Sequence, residues 1–166
     1  MPSPLATLRA AYLLYRWRAR RKAGRGIRVR VADPARYLRE LDDAGVRCCV
    51  MRWPEEVPAD ATAARTMAGD VDVLVDDDGG RTAARLAATM PGAAAVEFRS
   101  VTGELGAFAG LPYYPPAFAA EVLDARVRHP RGFPVPAPEH RLPMVLFHLC
   151  YQKAEDSGLE TGVGLP

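Results

Sequence analysis

The 166-residue chain has little of what marks several protein classes. It holds three cysteines, Cys48, Cys49 and Cys150, and no Cys-x-x-Cys pair. An odd number without paired spacing argues against a disulfide framework and against a cysteine zinc site. Cys48 and Cys49 lie in an apolar run and read as small core residues in a reducing, cytosolic compartment. No stretch approaches the roughly 20 apolar residues of a membrane span. The first apolar run precedes its positive charges, the reverse of a secretory signal. There is no internal repeat, and no acidic residue occurs before Asp33.

Apolar residues make up 49% of the chain and charged residues 25%, which is ordinary globular usage and excludes a wholly disordered chain. The length suits one domain with a short appendage. The net charge of +2 conceals a split. Residues 1–30 hold nine of the 22 basic residues, which leaves 13 against 20 acidic residues in 31–166. A +9 arm thus precedes a −7 body, the pattern of a basic appendage on an acidic domain.

Three parts are expected: a basic amphipathic arm (1–30), a folded domain (31–154) and a flexible tail (155–166). Residues 4–20 have loosely helical apolar spacing, and a basic run from Arg16 to Arg30 is broken by Gly24 and Gly26 as at a hinge. Asp33-Pro34 is a helix start, Tyr37, Leu38 and Leu41 continue the helix, and Gly45 closes it. Residues 46–52 read as a short buried strand. Residues 53–69 read as an irregular loop with one helical turn near 61–66. Residues 70–76 alternate perfectly and predict a strand. Asp77 to Gly80 make a turn, with Asp78 capping a helix over 81–90, and 94–100 form the next strand. Residues 117–125 and 139–154 read as helices. The proline-rich 126–137 reads as an extended connector, and Gly103, Gly106 and Gly110 punctuate a loop or hairpin. The order of elements predicts an α/β or α+β domain with a small mixed sheet flanked by helices.

The chemistry concentrates at Asp70-Val71-Asp72-Val73-Leu74-Val75. Residues i and i+2 of a strand share a face, so Asp70 and Asp72 project together while the valines point into the core. Adjacent carboxylates repel unless a cation lies between them. A divalent metal with oxygen ligands meets that need, and Mg²⁺ commonly combines one or two carboxylates with substrate phosphates. The alternative is a solvated strand with an acidic open face. Asp76-Asp77-Asp78-Gly79 lacks the ligand alternation of a calcium loop and reads as a turn. His129, His140 and His148 match no metal spacing; His148, near Tyr151 on the last helix, is a candidate to face the site.

Residues 38–75, with "GDVDVLVDD" at their end, resemble the nucleotidyltransferase-like superfamily. "FRSVTGELGAFAGLPYYPPAFAAEVLDAR" and "PAPEHRLPMVLFHLCYQKAEDSGL" are similar to a bacterial subgroup associated with surface polysaccharide biosynthesis. The resemblance spans roughly residues 36–160. It implies a nucleotidyltransferase-like fold in which a helix and strand lead to a second strand bearing the Asp-x-Asp pair. Asp70 and Asp72 would hold Mg²⁺ (or Mn²⁺), with a nucleoside triphosphate as donor and a small-molecule or sugar acceptor. A third carboxylate from a neighbouring strand would act toward the acceptor hydroxyl, with Glu97, in Val96-Glu97-Phe98, ahead of Glu104.

The chain departs from the family at two places. The Gly-Ser pair that usually follows the first strand is replaced by Met51-Arg52-Trp53-Pro54. Arg52 reads either as a direct phosphate contact or as the partner of Asp70 or Asp72 in a site without catalysis, and Trp53 as a surface for a base to stack on. The Tyr-His-Lys of the last helix is here Tyr151-Gln152-Lys153, where Lys153 is either a phosphate contact or a solvated helix-end lysine. The arm has several readings: an interfacial helix on anionic lipid, a grip on a protein partner or the acidic body, a nucleic-acid contact, or a solvated helix. A cytoplasmic protein, peripheral to the inner face of the membrane in the lipid reading, is expected. Two rivals to catalysis remain open, an inactive binding or accessory relative and a nucleic-acid binder or modifier.

Overall fold

The computed structural model describes residues 3–22, 27–106 and 111–153, with the backbone alone for 17–22. Four strands form one sheet in the order β1 (Ile27–Val31), β4 (Ala94–Ser100), β3 (Asp70–Val75) and β2 (Cys48–Val50). β4 runs antiparallel to β1 and parallel to β3, and β3 runs antiparallel to β2. The register sets Arg28 opposite Glu97, and Glu97 opposite Asp72. Side chains alternate between the faces of a strand. One face therefore carries Val29, Val96, Val71, Val73, Val75 and Cys48. The other carries Arg28, Glu97, Arg99, Asp70, Asp72, Leu74 and Cys49.

The apolar face packs under α2 (Pro34–Asp43) and α4 (Gly80–Thr89). Asp33 caps α2 by accepting from the Arg36 N–H at 2.9 Å, and Pro34 needs no N–H in the first turn. Gly45, at φ +80°, takes the left-handed conformation that ends the helix. Tyr37, Leu38 and Leu41 are wholly buried, each contributing roughly 1.5–3 kcal/mol by leaving water. The Tyr37 hydroxyl donates to the Ala83 carbonyl at 2.8 Å, which ties α2 to α4. The first helix, α1 (Pro4–Lys22), packs on α4 and β1.

The polar face is only half covered. A second apolar cluster joins Cys49, Met51 and Leu74 of the β2–β3 side to Tyr113, Tyr114, Val122, Leu123 and Met144. The last three belong to α5 (Pro116–Asp124) and α6 (Pro138–Phe147). The arginines and carboxylates lie on the β1–β4 side of that face and at the start of β3, where Glu97 and Arg99 are buried and Arg28, Asp70 and Asp72 are partly exposed.

Several elements differ from the sequence expectation. The mixed α/β architecture is as expected, but the basic run to Arg30 does not stay outside the folded body. Ile27–Val31 is an edge strand, because its apolar residues alternate with Arg28 and Arg30. The connector at 126–137 contains a small hairpin, β5 (Val127–Arg128) with β6 (Pro134–Val135), closed by Gly132 at φ +87°. Asp78 does not cap α4: a 3₁₀ turn (Asp77–Gly79) leads straight into the helix, and Asp77 instead accepts from Thr102. The 53–69 loop holds two helical turns, a 3₁₀ turn at Pro54–Glu56 and the expected one, α3 (Ala61–Arg65), capped by Asp60. The last helix is α-helical only to Phe147 and continues as a π-helix over His148–Lys153. The expected tail at 155–166 and the hinge glycines Gly24 and Gly26 lie outside the described residues, as does Gly110. Among the described residues, no helix is long and apolar enough to cross a membrane.

Candidate functional site

Carboxylate oxygens of Asp70, Asp72 and Glu97 lie within 4.8 Å of one another. The first two share a face by the two-residue period of β3, and parallel pairing with β4 brings Glu97 beside Asp72. Glu104, the other candidate for the third carboxylate, sits exposed in the turn after β4 and is not part of this group. Burial raises the Asp72 carboxyl above its usual range, although Arg52 opposes the rise. Burial likewise raises Glu97, opposed by Arg99 and Arg28. Keeping both ionised therefore costs free energy, which nearby cations offset.

Three arginines supply such cations. Arg52 reaches Asp72 at 2.5 Å, and Arg99 reaches Glu97 at 3.2 Å. Arg28 of the edge strand reaches Asp70 at 2.5 Å and Glu97 at 3.5 Å. The Arg52 and Arg99 guanidinium carbons each lie 5.5 Å from the centre of the Tyr113 ring, within cation–π range. One aromatic ring thus positions two of the cations.

A hydrogen-bonded chain runs on from there. Arg52 donates to the Tyr113 hydroxyl at 2.5 Å, and that hydroxyl lies 2.6 Å from His148 Nδ1. Burial first, then the charges of Arg52 and Lys153, lower the His148 pKa to about 4, so the ring is neutral at pH 7. Because Arg52 already donates to the hydroxyl, the tyrosine proton goes to Nδ1 and the imidazole carries its own proton on Nε2. Gln152 Nε2 donates to the Tyr113 carbonyl at 3.1 Å. The π-helical turn bonds residues five apart, so His148, Gln152 and Lys153 come to one side of the helix.

These groups line an open cavity of about 500 Å³ with Trp53. Of the residues singled out in the sequence for this site, Asp70, Asp72, Glu97, Arg52, Trp53, Lys153 and His148 are on its wall, and Glu104 is not. Trp53 takes a left-handed backbone at φ 50°, rare for a bulky residue, and holds its ring largely in solvent. The other histidines lie elsewhere: His140 is 3.2 Å from Glu121, and His129 stacks on Phe133. Arg28, Arg99, Tyr113 and Gln152 were not singled out as site residues. Period-two alternation in Ile27–Val31 and in Ala94–Ser100 carries the signal for the two arginines. No sequence period announces Tyr113, which arrives from a loop.

No protein-family model, curated protein or solved structure matches the chain.

Proposed function

We propose that the chain is a nucleotidyltransferase-like enzyme that transfers a nucleotidyl or phosphoryl group from a nucleoside triphosphate to a small-molecule or sugar acceptor. The observation that carries this reading is the convergence of Asp70, Asp72 and Glu97 on a cavity that also presents Arg52, Arg99 and Lys153. The succession α2-β2-α3-β3-α4-β4 supports the family resemblance, with the Asp pair on the second of these strands and the third carboxylate on its parallel neighbour.

The donor set fits Mg²⁺ or Mn²⁺, since all three groups offer hard carboxylate oxygens and two of them are raised by burial. Bound there, the dication supplies Lewis-acid stabilisation of charge on phosphoryl oxygens. Three carboxylates face four cations, Arg28, Arg52, Arg99 and Lys153, so the site is already slightly positive without a metal. That excess favours a metal–polyphosphate pair, whose net charge is negative, over the dication alone. Arg52, Arg99 and Lys153 turn to the phosphates, the Trp53 face takes the base, and Glu97, with its raised pKa, accepts the proton of the acceptor hydroxyl. Calorimetric titration with each nucleoside triphosphate, with Mg²⁺ and with chelator, tests this: saturable binding is expected only with the metal.

A second reading is favoured by the same ion pairs. Each carboxylate has an arginine, which is what a non-catalytic relative would use to neutralise an inherited acidic pair. That reading expects no nucleotide binding at millimolar concentration. It also expects Arg52→Gln to destabilise the fold equally with and without Mg²⁺ and nucleotide. In the catalytic reading those ligands restore part of the loss.

A further inference from the structure

The first helix gives the core only part of its apolar surface. Toward α4 and β1 it buries Ala6 and Ala10 and half-buries Leu13 and Leu14 against the core. Four of its large apolar residues face solvent instead: Leu5 is 56% exposed, Leu8 69%, Tyr12 58% and Tyr15 72%. Positions 5, 8, 12 and 15 follow the three-and-four spacing that keeps side chains on one stripe. The stripe is therefore continuous, and it lies away from the Ala6–Ala10 contact. The helix carries six basic residues and no acidic one. Arg9 and Arg16 lie beside the stripe, and both line a cavity with Arg28 and Arg30 of the adjoining edge strand. The Arg16 guanidinium also lies over the Tyr12 ring, so positive charge rims the apolar stripe on this flank.

We infer that α1 docks the protein on an anionic lipid bilayer, with Leu5, Leu8, Tyr12 and Tyr15 inserted among the acyl chains and the arginines on the headgroup phosphates. Both halves of that contact are on one helix face and its flank. Tyrosine suits the boundary, with an apolar ring and a polar tip. The charge also decides between occupants. A second copy would set one acid-free basic helix against another, whereas an anionic surface attracts about 1 kcal/mol per basic residue near it. Docking by α1 leaves the α2–α4 core intact, because the residues used are solvent-exposed.

The test is co-sedimentation of the full chain with vesicles of phosphatidylcholine containing phosphatidylglycerol, and of phosphatidylcholine alone, at low and high salt. Binding is expected to the anionic vesicles at low salt, and to fall at least tenfold with Leu8→Ser/Tyr12→Ser and with Arg9→Gln/Arg16→Gln. Circular dichroism and a melting curve establish that each variant is folded. Three outcomes overturn the inference. One is absence of sedimentation with anionic vesicles. Another is a concentration-dependent dimer, lost in Leu8→Ser/Tyr12→Ser, which assigns the stripe to a second copy. The last is tight, salt-sensitive binding of an oligonucleotide that needs the arginines but tolerates loss of Leu8 and Tyr12, without vesicle binding.

Discussion

Asp72 and Glu97 stand opposite each other across the parallel β3–β4 pair, and each has its own arginine, Arg52 and Arg99. Both arginines lie over the same Tyr113 ring. The acids are therefore held close while their charges are balanced from two sides. In the catalytic reading, the carboxylates would hold the metal and the guanidinium groups would turn to phosphate.

Glu97 and Glu104 separate on this basis. Glu97→Gln keeps the shape of the side chain but removes a charge from the acidic group. It is expected to weaken Mn²⁺-dependent nucleotide binding at least tenfold, measured by calorimetry. Glu104→Gln, in the exposed turn, is expected to leave that binding unchanged.

Trp53 is the most direct probe of the base. Its left-handed backbone disfavours a side chain, so Trp53→Gly removes strain along with the ring. Stability in urea is expected to hold or rise. Stacking on an aromatic ring is worth about 1–3 kcal/mol per base, so nucleotide affinity is expected to fall about tenfold or more. The two readouts move in opposite directions, which a misfolded variant cannot imitate.

His148 makes a pH prediction. Its pKa is lowered in the fold from 6.5 to about 4, so between those values the unfolded chain binds more protons than the native one. Stability rises with pH wherever the unfolded state holds the extra proton. The contribution of His148 is therefore complete above pH 6.5 and is lost as the pH falls through about 4. Urea unfolding of the wild type and of His148→Gln across pH 4–7 is expected to show the steeper acid loss in the wild type.

Gly92 and Gly69 make a packing contrast. A Cβ on Gly92 would lie 2.2 Å from the Ala32 Cα, against backbone that cannot turn aside. Gly92→Ala is expected to cost about 1–3 kcal/mol, in the range of overpacked sites. A Cβ on Gly69, just before Asp70, meets nothing within 4 Å. Gly69→Ala is expected to change stability by less than about 0.5 kcal/mol, as surface replacements usually do.

The acidic strand was legible because its two faces differ in chemistry: carboxylates alternate with valines, and only a strand separates them. Asp33-Pro34 and Gly45 were legible because caps act locally. Ile27–Val31 alternates just as cleanly, but its arginines continue a basic run and read as part of an arm. Its place at the sheet edge depends on pairing with β4, some 65 residues away, and Arg28 enters the site only through that pairing. The hairpin at Val127–Arg128 and Pro134–Val135 was hidden by prolines, which suit an edge pair of two residues per strand. The π-helical turn carrying His148 and Lys153 follows Pro143 in the same helix, and no change of composition marks where the winding widens.

The most direct test of the central claim is calorimetric titration of Mg²⁺ with each nucleoside triphosphate into the wild type and into Asp70→Asn/Asp72→Asn. The double variant keeps side-chain shape on the open face of β3, so folding by circular dichroism is expected to be unchanged. The account predicts saturable, metal-dependent binding of at least one nucleotide to the wild type and its loss in the variant. Equal binding to both proteins, or none to a folded wild type at millimolar nucleotide, would contradict it.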